Sequence, residues 1–162
     1  AASSFYAVDR VASYLTSWKD DIQKGKIILA DRYTTSNAVH QAGKLKGKER
    51  DKYLKWLFDF EYNILGLPAP DLVVFLNMPP QYAAQLINGR KNKANGFSQK
   101  DIHETDISYL EKSYNNALYI AKKFNWHIVD CICNGHIRPI DEINNEIYKL
   151  IKESITFGLY TG

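Results

Sequence analysis

The chain has 162 residues, 45% of them hydrophobic and 24% charged, with a formal net charge of +3. These values suit one soluble domain large enough for a proper core; no apolar run approaches a membrane span and no signal peptide is visible. The mild positive charge permits an anionic small molecule, but no run of five basic residues and no stripe of cations interleaved with aromatics argues for nucleic acid.

The first residues, Ala1-Ala2-Ser3-Ser4, lack a methionine and lead directly into a helical pattern, as in a processed chain or a portion of a longer one. Phe5, Val8, Ala12, Leu15, Trp18 and Ile22 recur at helical spacing and predict a core-facing stripe, which Gly25 ends. Lys26 to Ala30 is a short apolar run with β-branched residues and reads as a buried parallel strand. Asp31-Arg32-Tyr33 follows at the expected carboxyl end of that strand, where open α/β sheets bind ligands. An arginine there presents a planar fork of donors to a phosphate, and the carboxylate beside it can hold a metal, a water or that arginine.

A helix is expected from Ser36 to about Lys44, then a loop at Lys46-Gly47-Lys48. Tyr53, Leu57, Phe60 and Ile64 mark a long amphipathic helix that stops at Gly66-Leu67-Pro68-Ala69-Pro70. Asp71 to Asn77 reads as a second buried strand. Pro79 and Pro80 suit the first turn of a helix over Gln81–Asn88, and Gly89 to Lys100 is a polar, basic, glycine-containing loop. Ile107, Leu110, Tyr114, Ala117 and Ala121 predict a further helix, His127 to Asp130 a short third strand, and Ile140, Ile143, Ile147 and Leu150 a last helix. The only cysteines, Cys131 and Cys133, stand one residue apart on a strand end, point to opposite sides, and make a poor disulfide pair; they read as two reduced structural thiols of a cytosolic protein.

This alternation gives an α/β class with βαβ units and a parallel sheet. Three strands are few for five or six helices, so at least one more strand is expected before Ala1. Taken alone, the individual motifs have plainer readings. An Asp-Arg pair at a strand end is more often a surface ion pair. Tyr6 with Arg10 is an ordinary helix face, and Arg90-Lys91-x-Lys93 a solvated loop. His103, His127 and His136 have no partner pattern.

Taken together, the ordered landmarks resemble the thymidylate kinase family over Phe5 to about Leu150. Tyr6-Ala7-Val8-Asp9-Arg10 is similar to the family's aromatic-x-x-x-Arg segment, and Asp31-Arg32-Tyr33 with Ser36, Asn37 and Gln41 to its Asp-Arg-Tyr signature. Gly66-Leu67-Pro68-x-Pro70-Asp71-Leu72 and Leu76-x-x-Pro79-Pro80 match its next strand and flanks. The resemblance implies a single nucleoside monophosphate kinase-like domain over 1–162. Its fold would be a three-layer, P-loop NTPase-like parallel sheet with helices on both faces, and its lid would cover about 89–104. It implies transfer of the ATP γ-phosphoryl group to dTMP, giving dTDP for dTTP synthesis, with Mg²⁺, in a cytoplasmic homodimer.

By the same resemblance Tyr6 would stack on thymine, Arg10 would hydrogen-bond its carbonyl edge and Asn37 would make a second base contact, while Ser36 and Gln41 complete the dTMP side. Tyr6 and Arg10 are i and i+4 on one helix face, so both can reach one planar ligand. Arg32 would clamp the acceptor phosphate and bridge toward the transferred group. Asp31 would position Mg²⁺ through water. Arg90, Lys91 and Lys93 would close over the ATP phosphates, and Cys131 to Ile137 would lie near adenine.

Three departures stand out. No G-x-x-x-x-G-K-[ST] phosphate loop occurs in these residues. The family carries that loop on its first strand, so the expectation is an N-terminal segment before Ala1; the alternative is a non-catalytic nucleotide-binding remnant. His40 stands where the family has an aromatic against the deoxyribose, and Leu86 where many members have an arginine at the start of the lid. A kinase for a related deoxynucleoside or deoxynucleotide is the other rival.

Overall fold

Helices alternate with short strands through the computed structural model, which describes residues 2–86 and 104–160. Contacts divide the chain into two units, Ala1–Ala69 and Pro70–Gly162.

In the first unit α1 (Ala2–Ser13) runs on through a π-helical turn, Tyr14–Trp18, into α2 (Lys19–Gln23). Gly25 ends this rod at a φ of 73°, a left-handed conformation that costs glycine little. The amides of Lys24, Gly25 and Lys26 then turn back onto the carbonyls of Asp20, Ile22 and Asp21. Next come α3 (Thr34–Ala42) and α4 (Gly47–Phe58), the latter continued by a second π-helical segment, Asp59–Ile64. Gly66, at a φ of 68°, closes that segment where the Gly-Leu-Pro sequence predicts a stop. The core of this unit is Ala7 from α1, Ala38 and Ala42 from α3, Leu54 and Leu57 from α4, and Leu67. Burying each leucine side chain is worth about 1.5–3 kcal/mol.

Three expectations need correcting here. The apolar stripe of α1 faces outward: Phe5 is 77% exposed and Val8 65%, while Ser3 and Ala7 are buried. Hydrophobic periodicity locates a face but not its partner. The small Ser3 and Ala7 side chains let α1 approach α3 closely, on the face that also carries Arg10. Residues 26–30 form no strand, and Leu29 is 84% exposed. A strand exists only through a hydrogen-bonded neighbour, and none pairs with this run among the described residues. Along α4 and its π-helical continuation the buried row is Leu54, Leu57 and Glu61, displaced from the predicted one; Ile64 is exposed.

The second unit holds β1 (Val74–Asn77) and β2 (His127–Asp130), paired parallel with Val74 opposite His127 and Asn77 opposite Asp130. β2 keeps the predicted bounds, whereas β1 is shorter than the predicted Asp71–Asn77 and is not buried, Leu76 being exposed. After β1, residues 80–86 form α5, with Pro79 carbonyl accepting from the amides of Tyr82 and Ala83. Helix α6 (Glu104–Lys123) buries Ala117, Ile120 and Ala121, and Val129 of β2 is fully buried. Between β2 and α7 (Ile140–Tyr160) lies an unanticipated hairpin, β3 (Ile132–Cys133) with β4 (His136–Ile137). Asn134 and Gly135 both take positive φ, the requirement of a two-residue hairpin turn. Cys131 is buried and Cys133 exposed, as their spacing requires. The polar tips of the parallel pair are tied together: Asn77 Nδ2 donates to Asp130 Oδ1 at 2.6 Å, and the Tyr114 hydroxyl donates to Asn77 Oδ1 at 2.8 Å.

Candidate functional site

Arg10 projects from the buried face of α1, and its partner was not foreseen. Arg10 Nε donates to Glu61 Oε2 at 2.7 Å and Nη2 to Glu61 Oε1 at 2.5 Å, a two-pronged ion pair. The Glu61 side chain has no exposed surface; that of Arg10 retains 16%. Thr34 at the start of α3 donates its hydroxyl to Glu61 Oε2 at 2.7 Å. Asn37, one turn on, places its amide 3.4 Å from Glu61 Oε1 and 3.5 Å from the Ser3 carbonyl. One carboxylate therefore joins α1, α3 and the π-helical segment. In the sequence its only signal is an acid four residues after Leu57 and seven after Leu54, inside an apolar row.

The phenols around this node are held uncharged. Burial, then the neighbouring Tyr62 and Glu61, push the Tyr33 hydroxyl above its ordinary range; it donates to the Pro68 carbonyl at 3.0 Å. Burial likewise pushes Tyr62 up to about 12.

Asp31 and Arg32 sit in the exposed turn between residues 26–30 and α3. Arg32 has a φ of 71°, uncommon for a residue with a Cβ and a mark of stored backbone strain. Its Nε donates to Ser36 Oγ at 3.1 Å. Tyr33, the residue capping α3, supplies no side-chain cap, and the Ser36 amide turns back onto its carbonyl. The helix start thus combines amide donors with an adjacent guanidinium, a combination that favours an anion.

His40 is half-buried two turns into α3, and burial, followed by the positive charges of Arg32 and Lys44, lowers its pKa. Gln41 is half-buried and its Oε1 accepts from Lys44 Nζ at 3.0 Å. Tyr6 is 57% exposed, one turn before Arg10 on α1.

The structure thus brings Arg10 and Asn37 onto one carboxylate and Arg32 onto Ser36, with His40 in the Arg32 field. Arg90, Lys91, Lys93 and the predicted lid lie outside the described residues, apart from Glu104, which opens α6. Among the described residues no group of three or more His, Cys, Asp or Glu side chains could hold a metal ion. Mg²⁺ usually needs only one or two carboxylates, with phosphate and water completing the shell, so the exposed Asp31 fits as its protein contact.

A planar cation held on a buried acid and a second cation at a helix start suit a ligand with a flat head and an anionic tail. The family model described as thymidylate kinase matches residues 1–147, and the chain belongs to that family. The P-loop NTPase fold comes with it. Over 157 residues the chain is 27% identical to a probable thymidylate kinase of Thermococcus onnurineus, covering 96% of this chain and 66% of the relative. It is 28% identical over 114 residues to the thymidylate kinase of Mycobacterium tuberculosis (70% and 52%). It is also 28% identical over 144 residues to that of Limosilactobacillus fermentum (88% and 63%). The chain therefore spans between about half and two thirds of these relatives' lengths. No helix among the described residues is long and apolar enough to cross a membrane.

Proposed function

We propose that the protein transfers the γ-phosphoryl group of ATP to dTMP, giving dTDP for dTTP synthesis. The observation that carries this reading is the pairing of Arg10, fixed by Glu61, with the exposed Tyr6 one turn earlier: a flat donor edge beside an aromatic surface. Tyr6 stacks on thymine, Arg10 donates to its carbonyl edge, and Asn37 makes a second base contact. His40 packs toward the deoxyribose. Ser36 and Gln41 flank the acceptor phosphate, which Arg32 grips at the start of α3.

Phosphoryl transfer needs mostly placement and charge neutralisation, and Arg32 supplies both from a turn already strained into position. Asp31 would hold Mg²⁺ through water, and the metal would supply further charge neutralisation there. We assign Arg90, Lys91 and Lys93 to the ATP phosphates and residues 89–104 to the lid. The whole chain then acts as one nucleoside monophosphate kinase-like domain of three layers, in the cytoplasm and as a homodimer.

ADP formation by the whole protein, measured with a panel of acceptors, tests this. Saturable turnover with dTMP is expected. A strong preference for a deoxynucleoside would favour the rival kinase, and dTMP binding without ADP would favour a nucleotide-binding protein without turnover.

A further inference from the structure

Glu61 is the one charged residue among the described residues with no exposed surface. A buried carboxylate is costly unless paired and hydrogen-bonded, and Glu61 is met by four donors from three side chains: two from Arg10, one from Thr34 and one from Asn37. It also lies in a π-helical segment, a rare conformation that recurs at functional sites. For stability alone, an apolar side chain of similar volume in place of such an ion pair is often as good or better.

The geometry has a consequence for recognition. A guanidinium carries five N–H donors and no acceptor. Glu61 engages Nε–H and one Nη2 hydrogen, so both Nη1 hydrogens and the other Nη2 hydrogen remain on the far edge. With the fork locked, that edge cannot swing away from a ligand it does not match. A donor-only edge accepts a carbonyl oxygen and leaves an amino group facing its own hydrogens. We infer that Glu61 is a positioning residue for base selection: held itself by Thr34 and Asn37, it fixes the Arg10 donor edge and so makes the site choose a pyrimidine bearing a 4-oxo group over one bearing a 4-amino group. This rests on the placement of Arg10 at the base proposed above.

The test is calorimetric binding of dTMP and dCMP to the whole protein, with kcat and KM for both substrates, in wild type and Glu61→Gln. A glutamine keeps the shape but turns one acceptor into a donor, so it cannot take both prongs of Arg10. The expected result is dTMP binding weakened roughly ten- to hundredfold, KM for dTMP raised with kcat changed far less, KM for ATP unchanged, and the preference for dTMP over dCMP reduced. Wild-type dTMP affinity and preference in Glu61→Gln, even with a lowered melting temperature, would overturn the inference and leave Glu61 a structural residue. Should Glu61→Gln fail to fold, Thr34→Val removes one donor at nearly constant volume. A smaller loss of preference in the same direction is expected, and an unchanged preference counts against the inference. Failure of the wild-type protein itself to bind dTMP would instead overturn the functional reading on which this one depends.

Discussion

Arg10 and Arg32 are held in opposite ways. Arg10 is nearly enclosed, gripped through two nitrogens by an acid that α3 also reaches. Arg32 is exposed, takes one side-chain hydrogen bond to Ser36, and rides on a strained backbone. A group that reads a rigid, unchanging ring gains from being immobile. A group that follows a migrating phosphoryl charge gains from a fixed anchor and a free side chain. On the proposed function the two arginines divide these tasks, and the packing around each reflects its own.

The sharpest way to break this contrast is to truncate each cation. Arg32→Ala should lower turnover of the whole protein by roughly 10³-fold or more, in the range of arginines that neutralise a phosphoryl-transfer transition state, with stability within about 0.5 kcal/mol of wild type. Steady-state kinetics beside a urea melt would check both halves. Arg10→Ala should instead cost about 3–5 kcal/mol of stability, because it strands the buried Glu61 charge. The companion Arg10→Ala/Glu61→Leu should recover most of that loss, and equilibrium denaturation of the pair measures it.

A subtler contrast is Arg32→Gly. Relief of the left-handed backbone should raise stability by about 1 kcal/mol while turnover is lost, so thermal melting and activity should move in opposite directions.

The smallest effect is on pH. Burial and the Arg32 and Lys44 charges keep His40 neutral below its ordinary value of 6.5, so below that pH the unfolded chain binds more protons than the folded one. The stabilising contribution is complete above 6.5 and fades as the pH falls toward the folded value. Denaturation of His40→Gln across that window should show a flatter dependence than wild type.

Much of this molecule could be read from its residues, because some signals are local. Gly25 and Gly66 end helices through a backbone conformation that belongs to the residue itself. Val74–Asn77 and His127–Asp130 are runs whose apolar, β-branched character suffices once each finds the other. Asp31-Arg32 stands in a loop before α3, but the strand end at which the sequence places it is absent among the described residues.

What failed depends on neighbours. Residues 26–30 have strand composition without a strand partner among the described residues. The α1 stripe gives periodicity, yet the packed face is the one with small residues and an arginine. Glu61 was invisible because an acid on a helix is ordinarily solvated, and only the convergence of Arg10, Thr34 and Asn37 from elsewhere in the sequence makes its burial affordable. The hairpin at Asn134-Gly135 carried a turn signal, but its two-residue strands were too short to show alternation.

The most direct measurement is a crystal structure of the whole protein with dTMP. The account predicts the pyrimidine against Tyr6, its carbonyl on the outer edge of an Arg10 still paired with Glu61, and the phosphate on Arg32 at the start of α3. A nucleotide bound with its base away from Tyr6, or its phosphate away from Arg32, would contradict it.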